Sequence, residues 1–268
     1  MGIDPSADIH RLACIEDGAT VGPGCKIGPF VCVGPEVTLG EGVELKSHAV
    51  IDGWTEIGDG TVIFPFASIG QIPQDLKFAG ERTKLEIGKN NRIREYATMN
   101  PGTEGGGGLT KVGDGCLFMV GTHVGHDCMV GNNVVMANSA ALGGHAVVED
   151  NVIIGALAAV HQFCRIGHGA MIGGLAGVVA DVIPYGTVFG ERATLEGLNL
   201  VGLKRRGVDK NSIHGLRNAF KLLFTGTGSL RDRAASLQAE YASNALVQEV
   251  CEFLLADTAR HVTVPKGE

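Results

Sequence analysis

Four histidines fall close together in the chain, at His123, His126, His145 and His161, with Asp127 directly after the second and Gln162 directly after the fourth. Two chemistries suit this set. An imidazole titrating near neutral pH can take a proton from a hydroxyl, with a carboxylate such as Asp127 holding its tautomer and steadying the imidazolium. Alternatively, three neutral imidazoles can bind zinc, drawn as His123-x-x-His126 plus His145 or His161. The clear ligand spacing of the hexapeptide-repeat carbonic anhydrases is missing, which ranks the metal reading second. The other histidines, His10, His48, His168, His214 and His261, read as surface or satisfied polar residues.

The elements that must position this set are legible from a period of six. Aliphatic residues recur at Ile9, Ile15, Val21, Ile27, Val33, Leu39, Leu45, Ile51, Ile57, Ile63 and Ile69, then at Ile87, Ile93 and Met99. They run unbroken from Val112 to Val178. Six fits neither a helix face nor an alternating strand; it marks a hexapeptide-repeat parallel β-helix. Three strands make one coil of eighteen residues, each coil packed on its neighbours. Left-handed winding is expected from the family of such repeats. About ten coils at roughly 4.8 Å give a prism near 50 Å long.

Residues eighteen apart then become vertical neighbours. His126, Gly144 and Gln162 form one column, Asp127, His145 and Phe163 the next, and Gly125, Gly143 and His161 a third. The cluster therefore gathers at one corner over three successive coils. It is expected to point outward, because core hexads exclude such side chains. That placement argues against a silent scaffold.

The fold class expected is all-β with an α-helical tail, divided into a β-helix over residues 1–190 and a helical domain over residues 191–268. Segments 70–86 and 100–111 interrupt the repeat and read as loops. The second holds four consecutive glycines, which suits either a mobile flap or a plain solvent loop. Asn211-Ser212 is expected to cap a helix through Phe224, with Ile213, Leu216, Phe220 and Leu223 on one face, and a longer helix is expected over Leu230–Ala256. Lys204-Arg205-Arg206 with Arg217 and Lys221 form a basic patch suited to phosphates or an acidic carrier protein, or else a solvated helix face.

Bulk composition narrows the class. The 268 residues carry a net charge of −7, which argues against general binding to nucleic acid or a membrane surface. Glycine is abundant at 41 residues and aromatics scarce at 5%. Turns of positive φ and a narrow interior account for both. Cys14, Cys25, Cys32, Cys116, Cys128 and Cys164 read as reduced core fillers of a cytoplasmic protein. No secretion signal or membrane-length apolar run is visible.

The strings Gln74-Asp75-Leu76-Lys77, His123-Val-Gly-His126-Asp127-Cys128, Gly144-His145, Ala159-Val-His161-Gln162-Phe163-Cys164 and Gly202-Leu-Lys204-Arg205-Arg206-Gly207 resemble the acyl-carrier-protein-dependent UDP-N-acetylglucosamine O-acyltransferases, which open lipid A synthesis. The resemblance covers nearly the whole chain. It implies transfer of an (R)-3-hydroxyacyl group from the phosphopantetheine of acyl carrier protein to the glucosamine 3-hydroxyl, with no metal or other cofactor. It implies His126 as general base, Asp127 as its partner and the Gly144 N–H as oxyanion donor. Gln74, Asp75, Lys77, His123, His145, His161 and Gln162 match positions around the sugar and reacting centre. Asn199 and Arg205 match positions towards the nucleotide. Gly174, and with it Arg192, matches the acyl pocket. Three positions depart from the family pattern. Met99-Asn100-Pro101-Gly102-Thr103 replaces Ile-His-Arg-Gly-Thr, Val201 replaces Glu, and Arg192 replaces His. The first two leave a 3-amino sugar as an alternative acceptor; the third bears on chain length. The exposed faces of a narrow prism favour a homotrimer with sites between subunits.

Overall fold

The computed structural model describes residues 2–258 and 260–267, so the outer bounds Met1 and Glu268 of the expected domains lie outside the described residues. Twenty-six two- to four-residue strands from Asp8–Ile9 to Gly177–Val178 stack in parallel into three sheets of eleven, nine and eight strands, counting a closing hairpin in the first. The winding is that of a left-handed parallel β-helix. Register is set by the eighteen-residue step: Asp8 pairs with Lys26, His123 with Ala141, and Ala141 with Ala159.

The period of six has a simple cause. Each short strand ends on an inward aliphatic, its first residue points out, and the residue before that points in again, because side chains alternate along a strand. Val134 and Met136 are both buried, with Val135 facing out between them. A two-residue corner then turns the chain to the next face. The interior is filled by Leu39, Ile63, Phe118, Met136, Leu142 and their neighbours. Burial of each such side chain is worth about 1.5–3 kcal/mol.

The glycine expectation holds in part: Gly24, Gly42, Gly60 and Gly115 take the left-handed corner, which Phe30, Asp127, His145 and Phe163 fill in other coils. Most glycines that follow the aliphatic serve close approach: a Cβ on Gly22 would lie 2.6 Å from the Gly40 carbonyl oxygen. One expectation needs correction: Cys25, Cys116, Cys128 and Cys164 are buried, but Cys14 and Cys32 are exposed. They occupy the outward first strand position, not the inward one two residues before the aliphatic.

The loops are shorter than expected, since strands resume at Lys84 and Leu109. After the last coil, Gly186–Phe189 and Thr194–Leu198 form an antiparallel hairpin on the eleven-stranded face. Four helices follow: α1 (Leu200–Arg205), α2 (Lys210–Thr225), α3 (Leu230–Glu240) and α4 (Ala245–Leu255). The cap of α2 is Asp209, whose carboxylate accepts from the Asn211 and Ser212 N–H groups, rather than Asn211-Ser212. The expected single helix over Leu230–Ala256 is two, because Asn244 caps α4 from the Leu246 and Val247 N–H groups and restarts the chain in a new direction.

A polar clip docks α4 on the prism. Glu249 accepts from Tyr185 Oη and binds His168 Nδ1 at 2.8 Å. That bond raises the His168 pKa, so His168 is a satisfied structural histidine.

Candidate active site

The corner between the nine- and eight-stranded faces carries the expected columns. The His145 N–H donates to the His126 carbonyl, and the Phe163 N–H to that of Gly144. His145 stacks on Phe163 at 4.3 Å and meets the edge of His126 at 5.0 Å.

His126 Nδ1 lies 2.7 Å from Asp127 Oδ2. Asp127 also accepts from the Thr103 N–H at 2.8 Å and from the Thr103 hydroxyl at 2.7 Å. A carboxylate so surrounded by donors is an acceptor only, so Nδ1 of neutral His126 carries the proton and Nε2 keeps its lone pair. Nε2 is turned towards the next coil, where a Cβ on Gly144 would come within 2.6 Å of it. The Gly144 N–H has no acceptor among the described residues. A base and an unspent backbone donor therefore adjoin one another, the arrangement that acyl transfer needs.

Asp127 points away from the prism core, as expected, yet it is not open to solvent; its side chain is 1% exposed. The loop over residues 100–108 covers it, with a 3₁₀ turn at Glu104–Gly106 whose Gly106 lies so close that a Cβ would sit 2.1 Å from the Asp127 carboxyl carbon. Within the glycine run, Gly106 covers the Asp127 carboxylate, while Gly105 and Gly107 are exposed as a solvent loop would be. Thr110 completes the cradle by accepting the Asp127 N–H at 2.7 Å. Thr103 and Gly106 were not legible as site residues, since they lie in an insertion outside the repeat. Thr103→Val removes one donor to the carboxylate and should lower kcat about tenfold. Steady-state kinetics beside a melting curve checks this; an unchanged kcat would confine the contact to loop stability.

Two neighbouring histidines are shifted towards the neutral form. Burial, then His126, lowers the pKa of His123, whose Nδ1 meets the Thr98 hydroxyl at 2.8 Å. Burial likewise lowers the His145 pKa, against the opposing pull of Asp127. Asp75 and Lys77 reach the same corner, lining with His145, Phe163 and Thr103 a cleft of about 530 Å³. Gln74 is exposed on that loop outside the cleft lining, and His161 and Gln162 are exposed one coil above Gly144.

Four expected site residues fall elsewhere. Asn199 and Arg205 line a separate cleft of about 590 Å³ on the eleven-stranded face, with Met171 and Val201. They cannot join His126 within one chain, because that face and the His126 corner do not adjoin. Asn199 is moreover the cap of α1, its Oδ1 accepting from the Gly202 N–H and its Nδ2 donating to the Gly169 carbonyl. Gly174 lies on the third corner, where a Cβ would approach the Ala156 carbonyl oxygen at 3.3 Å, and Arg192 is exposed in the turn of the hairpin.

For a metal, His126, Asp127 and His145 bring ligand atoms within 4.8 Å of one another. This is two imidazoles and a carboxylate, not the three imidazoles of the zinc reading. His123 is turned to Thr98, and Asp127 is already engaged by Thr103 and His126. The donor set fits a hydrogen-bonded dyad better than a zinc centre.

Known proteins resemble the chain over this whole arrangement. A profile described as "Udp N-acetylglucosamine O-acyltransferase; Domain 2" matches residues 181–263, and a bacterial transferase hexapeptide profile matches residues 18–53. An acyl-[acyl-carrier-protein]–UDP-N-acetylglucosamine O-acyltransferase of Rhizobium johnstonii is 51% identical over 98% of this chain and 97% of its own. That of Paracoccus denitrificans is 58% identical over 76% of this chain and 77% of its own. Among solved structures, the UDP-N-acetylglucosamine acyltransferase from Campylobacter jejuni superposes with a TM-score of 0.91 at 38% identity, covering 97% of this chain and all of that one. With such identity along nearly its full length, this chain belongs to the family of acyl-[acyl-carrier-protein]–UDP-N-acetylglucosamine O-acyltransferases.

Proposed function

We propose that the protein transfers an (R)-3-hydroxyacyl group from acyl carrier protein to the 3-hydroxyl of UDP-N-acetylglucosamine, the first step of lipid A synthesis. One observation carries the chemistry: His126 Nε2, made a base by Asp127, lies against the coil that offers the free Gly144 N–H. His126 takes the proton of the sugar hydroxyl as its oxygen attacks the thioester carbonyl. The Gly144 N–H holds the oxyanion. Collapse breaks the C–S bond, and the thiol leaves with the proton returned by His126. The residues of the chain complete this cycle without a metal. The relatives' names, which specify O-acylation, favour the hydroxyl over the 3-amino acceptor.

Asp75, Lys77, His123, His145, His161 and Gln162 are proposed to surround the sugar and thioester, with Gln74 beside them. A strip of small outward residues, Ala141, Ala159 and Gly177, climbs in register from His123 and suits an alkyl chain. Gly174 and the Arg192 turn lie near its upper end and are proposed to limit chain length.

A homotrimer with sites between subunits is supported by two features. Phe30, Phe66, Tyr96, Leu157 and Leu175 stand exposed along one corner, and Leu76 projects fully from its loop. Asn199 and Arg205 need a neighbouring copy to approach a His126 corner. Arg217 and Lys221, exposed on α2, suit the acidic carrier; Arg206 faces Tyr185 and is structural. Among the described residues, no helix is long and apolar enough to cross a membrane. We place the reaction in the cytoplasm, and we keep 1–190 and 191–268 as the two functional units.

Incubating the protein with hydroxyacyl carrier proteins of several lengths and the sugar nucleotide, with chelator present, should give a 3-O-acyl product by mass. Gly174→Met should shift the donor profile to shorter chains. Absence of product with every donor, or its loss with chelator alone, overturns the proposal.

A further inference from the structure

The segment after α4 folds back onto the top of the prism. Val262 pairs with Asp181; the Asp181 N–H donates to the His261 carbonyl at 2.8 Å, and the Thr263 N–H returns to Asp181 at 2.7 Å. Asp181 is fully buried and holds Arg165 through its Oδ2 at 2.7 Å, so the segment rests on a rigid base. This fixes where Arg260 emerges. Its Nη2 lies 2.9 Å from the Gln162 carbonyl oxygen and 3.0 Å from His161 Nδ1.

We infer that Arg260 is a positioning residue that fixes the tautomer of His161, making its outward Nε2 a hydrogen-bond donor. Nη2 has two hydrogens and meets two acceptors. A guanidinium accepts nothing, so His161 Nδ1 must present its lone pair, and the proton of the neutral ring resides on Nε2. The local alternative is specific. His161 Nδ1 is also 3.1 Å from the Gln162 carbonyl oxygen. Without Arg260, an Nδ1–H would donate there, and Nε2 would become an acceptor. Arg260 therefore reverses the polarity of the second ring nitrogen of His161, an exposed side chain. His161 stands at the corner two coils above His126, one coil being roughly 4.8 Å. Its ligand is thus an oxygen of the bound acyl donor or sugar, an acceptor that an Nε2–H can grip. The kinetic consequence rests on the acyltransferase reading; the tautomer does not.

The test reads the two separately. In protein with ¹⁵N-labelled histidine and no substrate, His161, identified by loss of its signals in His161→Gln, should show a protonated Nε2 and a lone-pair Nδ1. Arg260→Met should move the proton to Nδ1, and Arg260→Lys, which keeps a donor, should hold it on Nε2. In turnover, Arg260→Met should raise KM roughly tenfold with a smaller change in kcat, and Arg260→Lys should recover most of it. An Nδ1–H tautomer in the unmodified protein overturns the inference, and that measurement stands even if Arg260→Met fails to fold. An Arg260→Met tautomer identical to the unmodified one overturns it equally. If the tautomers behave as stated while no donor is consumed, the inference holds and the acyltransferase reading fails.

Discussion

His126→Ala is expected to lose acyl transfer by about 10²–10⁴-fold, the usual worth of a general base. The loss should fall on kcat, with the coil structure and assembly retained. The His126 side chain lies in a corner outside the prism core, whose buried column beside it is Val124, Leu142 and Val160. Its backbone carbonyl still accepts from the His145 N–H, whatever the side chain. What disappears is Nε2, the one atom at this corner held as a lone pair by a buried carboxylate. His126→Asn should do no better, because an amide cannot take up a proton at neutral pH. Circular dichroism and sedimentation alongside the rate measurement separate the chemistry from the fold. Near-normal transfer by His126→Ala would remove the central assignment.

Gly144→Ala should be almost as damaging while adding a single methyl. That methyl would lie 2.6 Å from both Cε1 and Nε2 of His126. Carbon atoms do not approach so closely, so the ring must swing away. Asp127 cannot follow, because Thr103 holds both its oxygens beneath the loop. The swing therefore breaks the dyad and shields the Gly144 N–H at once. Misplacing a base and losing an oxyanion donor together should cost on the order of 10²–10³ in kcat. The melting temperature should hardly move, since φ at Gly144 is not in the left-handed region and the clash is with a movable ring. A variant of full activity would mean that the base works from another ring position and that Gly144 is not its oxyanion partner.

The β-helix was legible because its physics is local and repeated. One inward aliphatic per strand, spaced by a two-residue corner, forces a register of eighteen. That register alone put Gly144 over His126 and His145 over Asp127. The same reasoning failed where the repeat ends. A long helix was expected over Leu230–Ala256 from spacing, yet Asn244 restarts the chain, and caps are single-residue events that periodicity does not record. Cys14 and Cys32 were read as core although they stand one residue beyond the inward position, a parity difference that reverses a side chain's face.

For the site, the residue types and the columns came from the chain order: which histidines meet, which carboxylate serves them, and which glycine lies above. The tertiary structure alone decided that Asp127 is dry, that Thr103 and Gly106 of an inserted loop seal it, and that Arg260 reaches back to His161. It also decided that Asn199 and Arg205 open on a different face. These contacts join segments twenty-one to ninety-nine residues apart outside the repeat. The eighteen-residue step says nothing of where a loop or a returning tail comes to rest. That is settled by the hydrogen bonds and burial each segment finds once the prism exists.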